Sequence, residues 1–227
     1  MGLLARKPGV AAEQFRRHWR EVHGPLAARL PGLRRYQQNL VLEAQQLGAG
    51  SVPRGEWRLD GISDLWFDDL AAMRGALASE AYRAVADDEP NFAAGTRVIV
   101  TEQKVVVPLC GSDAAGPLAK CMVILARARG VDAAAFRRRW WEERAPPLAR
   151  LPGLAGCTRN LVIERIAAGR PAGDDVVPVD EMAELWFRDT EALRAAFASG
   201  AARELEADAR DLIGTIAAWR VDVHAVV

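Results

Sequence analysis

The stretch that decides the fold is LARKPGVAAEQFRRHWREVHGPLAARLPGL, residues 4–33, which recurs as LARARGVDAAAFRRRWWEERAPPLARLPGL at residues 125–154. The two stretches align without gaps at an offset of 121 residues. Further along, Asn39-Leu40-Val41 matches Asn160-Leu161-Val162, and Leu65-Trp66-Phe67 matches Leu185-Trp186-Phe187 after a deletion of one residue. Self-similarity over most of a chain indicates that one domain has been duplicated.

A stretch rich in Gly, Pro and small residues, PLCGSDAAGPLA at 108–119, separates the two copies. This composition is typical of a linker. We therefore predict a first module at residues 1–108, a linker at 109–119 and a second module at 120–227.

The spacing of apolar residues predicts the same elements in each copy. Phe15, Trp19, Val22 and Leu26 fall on one face of a helix, which Leu30-Pro31-Gly32 ends. In the first copy we predict a strand at 2–6, a helix at 11–29, strands at 33–43 and 59–67, a helix from 70, and a strand at 96–107. Each copy thus has the order βαββαβ.

This order predicts an α+β fold. With right-handed crossovers, each module becomes a four-stranded antiparallel sheet with both helices on one face, the ferredoxin-like arrangement. The other face of each sheet is left uncovered and apolar, so we expect the two modules to pack these faces together. The result would be an intramolecular dimeric α+β barrel of eight strands with the helices outside, and a cavity in or beside it.

Composition excludes several classes of partner and site. Thirty basic and thirty acidic side chains cancel without long runs of either sign, which argues against nucleic-acid and membrane partners. No apolar segment approaches the roughly 20 residues of a membrane span, and we expect a cytoplasmic protein. Cys110, Cys121 and Cys157 lack CxxC spacing, so reduced thiols are expected and no disulfide or metal site is indicated.

The stretch FRRHWREVHGPLAARLPGLRRYQQN, residues 15–39, resembles the signature of the EthD family. The resemblance rests on F-x-x-H-W, a His four residues after the Trp, and LPGL, and the repeat extends it over nearly the whole chain. It implies a dimeric α+β barrel, which most relatives build from two chains. It also implies relatives that are cofactor-independent lyases, cyclases, isomerases or monooxygenases of aromatic or polyketide-like compounds, without one agreed activity.

His23 is the candidate catalytic base. An imidazole with an ordinary pKa of about 6.5 can accept a proton at physiological pH. The alternative is a structural role, in which His23 ties the helix to a neighbouring carbonyl. Its counterpart in the second copy is Arg144, which cannot act as an ordinary base, so any such chemistry belongs to the first copy alone.

The candidate substrate-binding residues are polar or aromatic: Trp19, Tyr36, Asn39, Trp57 and Trp66. Tyr36 and Asn39 fall on opposite faces of their predicted strand, so one pocket is not expected to hold both. Trp19 and Trp66 recur in the second copy, which favours core packing, whereas Trp57 lacks an aromatic counterpart and is a candidate lid.

The two remaining His residues are weaker candidates. His18 lies beside a run of Arg and is expected on a solvated face. His224 alternates with charged residues on the last strand, and the sequence does not decide whether it faces solvent or the barrel interior.

No nucleotide, zinc or serine-hydrolase motif occurs, and we expect no cofactor or metal. The leading hypothesis is a cofactor-independent lyase, cyclase, isomerase or oxygenase that acts on a small hydrophobic carbonyl or phenolic compound. The alternative is a non-enzymatic binding or accessory protein of a catabolic pathway. Pairing through sheet edges is a third hypothesis, and the sequence leaves open whether the chain forms a homodimer.

Overall fold

The computed structural model describes residues 1–109, 118–143 and 148–227. Cys110, Arg144 and most of the predicted linker lie outside the described residues. The first half of the chain contains strand β1 (Gly2–Arg6), helices α1 (Ala12–His18) and α2 (Gly24–Ala27) joined by a π-helical turn (Trp19–His23), strands β2 (Leu33–Gln45) and β3 (Gly61–Phe67), helices α3 (Leu70–Leu77) and α4 (Glu80–Phe92), and strand β4 (Ala93–Val107).

The second half repeats this plan. It contains strand β5 (Ala119–Arg127), helix α5 (Ala133–Phe136), a π-helical turn (Arg137–Glu143), a 3-10 turn (Leu148–Arg150), strands β6 (Leu154–Ala167), β7 (Arg170–Pro171) and β8 (Glu181–Phe187), helices α6 (Thr190–Phe197) and α7 (Gly200–Ala209), and strand β9 (Ile213–Ala225).

The strands form one closed antiparallel barrel. Their order is β4-β1-β3-β2-β9-β5-β8-β6, with the short β7 beside β6, and pairing of β4 with β6 closes the ring. Two seams join the halves: β2 with β9, from Gln37↔Ala225 to Gln45↔Ala218, and β4 with β6. The expected mixed α and β barrel is therefore confirmed.

Apolar side chains form separate layers inside and outside this barrel. The interior is filled from both halves, by residues that include Leu3, Ile62, Ile99, Met122 and Met182. A second layer lies between the sheet and the helices of each half. No helix in the described ranges is long and apolar enough to cross a membrane.

The helix expected at 11–29 differs from the prediction, because its middle is a π-helical turn. The amide of Gly24 bonds to the Trp19 carbonyl five residues earlier, and Pro25, which has no amide N–H, follows immediately. Gln38 on β2 donates to the same carbonyl through Nε2 at 2.7 Å. The π-helical turn thus anchors the helix to the sheet beside His23.

Candidate functional site

A cavity of about 380 Å³ lies beside the first half of the barrel. Its walls come from β3, β4, α3 and α4, and they are mostly apolar and aromatic. They include Leu65, Trp66, Phe67, Met73, Tyr82 and Val85. Because β1 pairs with β3 only from Gly61 to Ser63, the cavity reaches the barrel interior beside the unpaired edge of residues 64–67.

His23 lines this cavity and is 5% exposed. Its Nδ1 lies 3.0 Å from Oδ2 of Asp88 on α4. Within the described part of the chain, no group hydrogen-bonds Nε2. Burial lowers the pKa of His23, and the hydrogen bond with Asp88 offsets this only in part. A neutral imidazole that donates Nδ1–H to Asp88 keeps a lone pair on Nε2 and can accept a proton.

Asp88 holds this arrangement together. Oδ1 accepts from Nδ2 of Asn91 at 3.2 Å and contacts Nε2 of His18 at 2.8 Å. Burial alone would raise the pKa of Asp88, but the hydrogen bonds with His18, Asn91 and His23 outweigh burial, so the pKa lies below its usual value. The carboxylate is therefore charged and fixes the orientation of the His23 ring. His18, expected on a solvated face, instead binds Asp88 and stacks on Phe92.

Tyr36 forms another polar part of the wall. It is fully buried, and its hydroxyl accepts from Nε2 of Gln38 at 3.1 Å. Burial raises the pKa of Tyr36, so the residue remains a neutral phenol. A carboxyl from β3, Asp64, lines the cavity on the barrel side.

The structure brings His23, Tyr36 and Trp66 together at the cavity and places the other candidates elsewhere. Trp19 is fully buried against Phe15. Asn39 is buried, and its Nδ2 donates to Ile62 O and Asp64 Oδ2. Trp57 packs against the apolar barrel interior and under Arg97, apart from the residues that line the cavity.

Two carboxyl groups of the site, Asp88 and Asp64, were not singled out from the sequence. A signal for Asp88 was available, because Val85, Asp88 and Phe92 follow helical spacing and all three are buried. A carboxylate on the buried face of a helix needs a partner. No comparable pattern marks Asp64.

In the described part of the second half, a buried ion pair occupies the matching positions. Arg159 stands where the first half has Gln38, and Glu181 stands where it has Gly61. Arg159 Nε and Nη2 bind Glu181 at 2.7 and 2.6 Å, and Trp140 Nε1 donates to Glu181 at 2.8 Å. A cavity of only about 50 Å³ remains beside Trp140 and Glu181.

The described thiols do not suggest a nucleophile, and the described acids do not suggest a metal site. Cys121 and Cys157 are buried free thiols, and burial raises the pKa of Cys157 to about 12. Such a thiol is not a nucleophile at neutral pH. Among the described residues, no group of three or more His, Cys, Asp or Glu could hold a metal ion.

Solved structures with this fold include oxygenase-like proteins. The "putative monooxygenase" from Lactobacillus acidophilus NCFM is 11% identical, with a TM-score of 0.54 over 99% of this chain and 92% of that chain. An anthrone oxidase-like protein is 10% identical, with a TM-score of 0.60 over 99% and 91%. The "putative monooxygenase" FN1347 from Fusobacterium nucleatum is 7% identical, with a TM-score of 0.53 over 99% and 91%. At these identities the likeness shows the fold alone.

The family is shown by the sequence. No curated protein matches the chain. The model of the EthD domain, however, matches twice, at residues 7–96 and 128–215, which together make up most of the chain. Both matches coincide with the two halves of the closed barrel, and the chain therefore belongs to the EthD family, as a tandem repeat of its domain.

Proposed function

We propose that the cavity of the first module binds a small, largely apolar carbonyl or phenolic compound, and that His23 removes a proton from it. The observation that carries this proposal is that His23 lines the cavity, with Nδ1 held by the charged Asp88 and no hydrogen bond to Nε2 from the described residues. We also propose that the chain consists of two ferredoxin-like modules and that only the first contains an active site.

The cavity has the size and lining that such a ligand needs. A volume of about 380 Å³ falls within the roughly 300–1,000 Å³ of small-molecule sites. Trp66, Phe67 and Tyr82 offer aromatic surface, and Tyr36 and Asp64 offer polar atoms. Apolar walls with a few polar groups favour a compound with an aromatic body and one or two oxygen functions.

Proton removal next to a carbonyl is a first step common to isomerisation, cyclisation and oxygenation without a cofactor. In anthrone the methylene lies opposite the carbonyl and is conjugated with it through the outer rings, so loss of a methylene proton likewise gives an anion, which can pass electrons to O₂. The balanced outcome is one anthrone and one O₂ converted to one anthraquinone and one water. The names of the fold neighbours are compatible with this oxygenase branch.

Anthrone is therefore the probe for the proposal. We expect the protein to accelerate exchange of the anthrone methylene protons in anaerobic D₂O, followed by NMR, and to accelerate O₂ uptake in air. Met73→Trp should abolish both effects because Met73 is a half-buried side chain of the cavity wall. If the protein binds anthrone but the methylene protons exchange no faster than in buffer alone, the alternative of a binding or accessory protein is favoured.

The pH dependence of this exchange is a separate prediction. Since burial lowers the pKa of His23 below the ordinary 6.5, more than half of the His23 side chains are neutral at pH 6.5. On the acid side, the rate should fall as the pH drops through the lowered pKa of His23, giving an acid-side midpoint below 6.5. Asp88→Asn removes an interaction that raises the pKa of His23, so the midpoint should shift further down as the plateau rate falls. An unchanged midpoint in Asp88→Asn would contradict the role of Asp88 as a positioning residue.

A further inference from the structure

A buried charge network lies in the barrel interior beside the cavity. Lys120 is fully buried, and its Nζ lies 2.6 Å from Glu184 Oε2, 2.9 Å from Asn39 Oδ1 and 3.4 Å from Asp64 Oδ2. Each donor hydrogen of the ammonium therefore has an acceptor. The Lys120 side chain also lies over the ring of Trp186, with Nζ 5.0 Å from its centre.

The two carboxyl groups of this network occupy matching positions but are not equally bound. Glu184 uses both oxygens: Oε1 accepts from Asn160 Nδ2 at 3.0 Å, and Oε2 binds Lys120. Asp64 uses only Oδ2, which accepts from Asn39 Nδ2 at 2.9 Å. Its Oδ1 is buried and has no hydrogen-bond partner in the described part of the chain.

Asp64 is the carboxyl of the pair that lines the cavity. An unbonded buried oxygen costs about 1–3 kcal/mol, and a ligand atom in the cavity could remove this cost. Asp64, which has the shorter side chain, thus lacks at Oδ1 the hydrogen bond that Glu184 accepts at Oε1 from Asn160.

Burial favours a proton on Asp64 at pH values below about 6. Lys120 lies closer to Glu184 than to Asp64, and the amino group of Met1 is a second cation that interacts with both carboxyls. Burial raises the pKa of Asp64 to about 6, and the charge of Glu184 adds to this, while Lys120, the amino group of Met1 and the hydrogen bond from Asn39 act in the opposite direction. A buried carboxyl in this state can donate a hydrogen bond as well as accept one.

We propose that Asp64 is a second catalytic residue of this cavity, and that its open Oδ1 binds a carbonyl or hydroxyl oxygen of the ligand and exchanges a proton with it. The expected ligands are therefore apolar compounds that carry an oxygen atom able to reach Asp64, on the side of the cavity next to the barrel interior. This inference rests on the function proposed above for the same cavity.

Two protons move in the proposed reaction. Nε2 of His23 takes a proton from a carbon next to the carbonyl or, in anthrone, conjugated with it, and the C–H electron pair forms a carbon–carbon double bond. The carbonyl π pair moves to the oxygen, which takes the proton from Oδ1 of Asp64. An enol, an imidazolium and a carboxylate result, and the reverse transfers restore both residues.

A pair of probes that differ by one oxygen tests the binding part. We expect the protein at pH 5 to bind 2-naphthol more tightly than naphthalene, and Asp64→Leu to weaken 2-naphthol binding by about 5- to 10-fold with naphthalene unaffected. Glu206→Gln is the matched control, because Glu206 is a buried carboxyl of the second half that does not line the cavity. It should leave the preference unchanged.

Infrared difference spectroscopy tests the proton itself. The wild type minus Asp64→Asn spectrum at pH 5 should contain a carboxylic acid carbonyl band that fades as the pH rises through about 6 and shifts when 2-naphthol binds. The Glu206→Gln variant should retain this carbonyl band. Because Asn is nearly isosteric with Asp, this measurement stands even where Asp64→Leu fails to fold.

The outcomes separate this inference from the function on which it rests. Equal binding of both probes, or a band that persists in Asp64→Asn, overturns the role of Asp64 while anthrone exchange can still stand. If the wild-type protein does not accelerate anthrone exchange but still prefers 2-naphthol to naphthalene, the catalytic function is overturned, whereas binding of the ligand oxygen at Asp64 is supported. A protein that binds neither probe overturns both.

Discussion

Replacing His23 with Gln is expected to slow anthrone proton exchange by about 10²- to 10⁴-fold, the usual contribution of a general base. Gln keeps a polar group near Asp88 but has no atom that accepts a proton near neutral pH. His18→Gln is the matched control, because His18 binds the same carboxylate but does not line the cavity. Exchange measured by NMR for the two variants therefore separates removal of the base from disturbance of the Asp88 network.

Binding of 2-naphthol shows whether the cavity of each variant is intact. If His23→Gln still binds the probe and melts near the wild-type temperature, a large loss of rate assigns proton removal to His23. Equal losses in His23→Gln and His18→Gln would mean that the two imidazoles act only by holding α1 to α4, and the assignment of a base would be wrong.

Replacing Arg159 with Met is expected to destabilise the fold by about 3–5 kcal/mol, because the Glu181 carboxylate would then be buried without its cation. Both side chains of this pair are 1% exposed. The double variant Arg159→Met with Glu181→Gln should recover most of the loss, since a neutral amide costs less to bury and still accepts from Trp140 Nε1.

Equilibrium unfolding in urea measures both changes, as a shift of the midpoint with a constant m value. If Arg159→Met is as stable as the wild type, neutralisation of Glu181 by Arg159 does not contribute to the free energy of unfolding. A double variant no more stable than the single one would show that Arg159 acts through packing against Trp140 and Trp141.

The duplication made most of the architecture predictable. The register of residues 4–33 on 125–154 fixed the element order of both halves, and the uncovered sheet faces implied closure into a barrel. The π-helical turn could not be foreseen from apolar spacing, because it begins at Trp19 and leaves Phe15 and Trp19 on the same face.

The candidate site was predicted less completely, because its residues are far apart in the sequence. His23 is local to the motif, but Asp88 lies 65 residues away, and only the folded helix pair brings them together. The parity argument correctly separated Tyr36, at the cavity, from Asn39, in the barrel interior. Trp57 follows a loop whose path the sequence does not specify.

The seam between β2 and β9 affects how the chain emerges during synthesis. β2 ends at Gln45 and β9 ends at Ala225, so at about 5–20 residues per second the ribosome completes β9 about 9 to 36 s after β2. During that interval the outer edge of β2 carries free amides and carbonyls and can pair with the β2 of a neighbouring nascent chain. Dense translation on one message would thus favour dimers joined through β2, and slow, sparse translation would favour closure of the barrel within one chain.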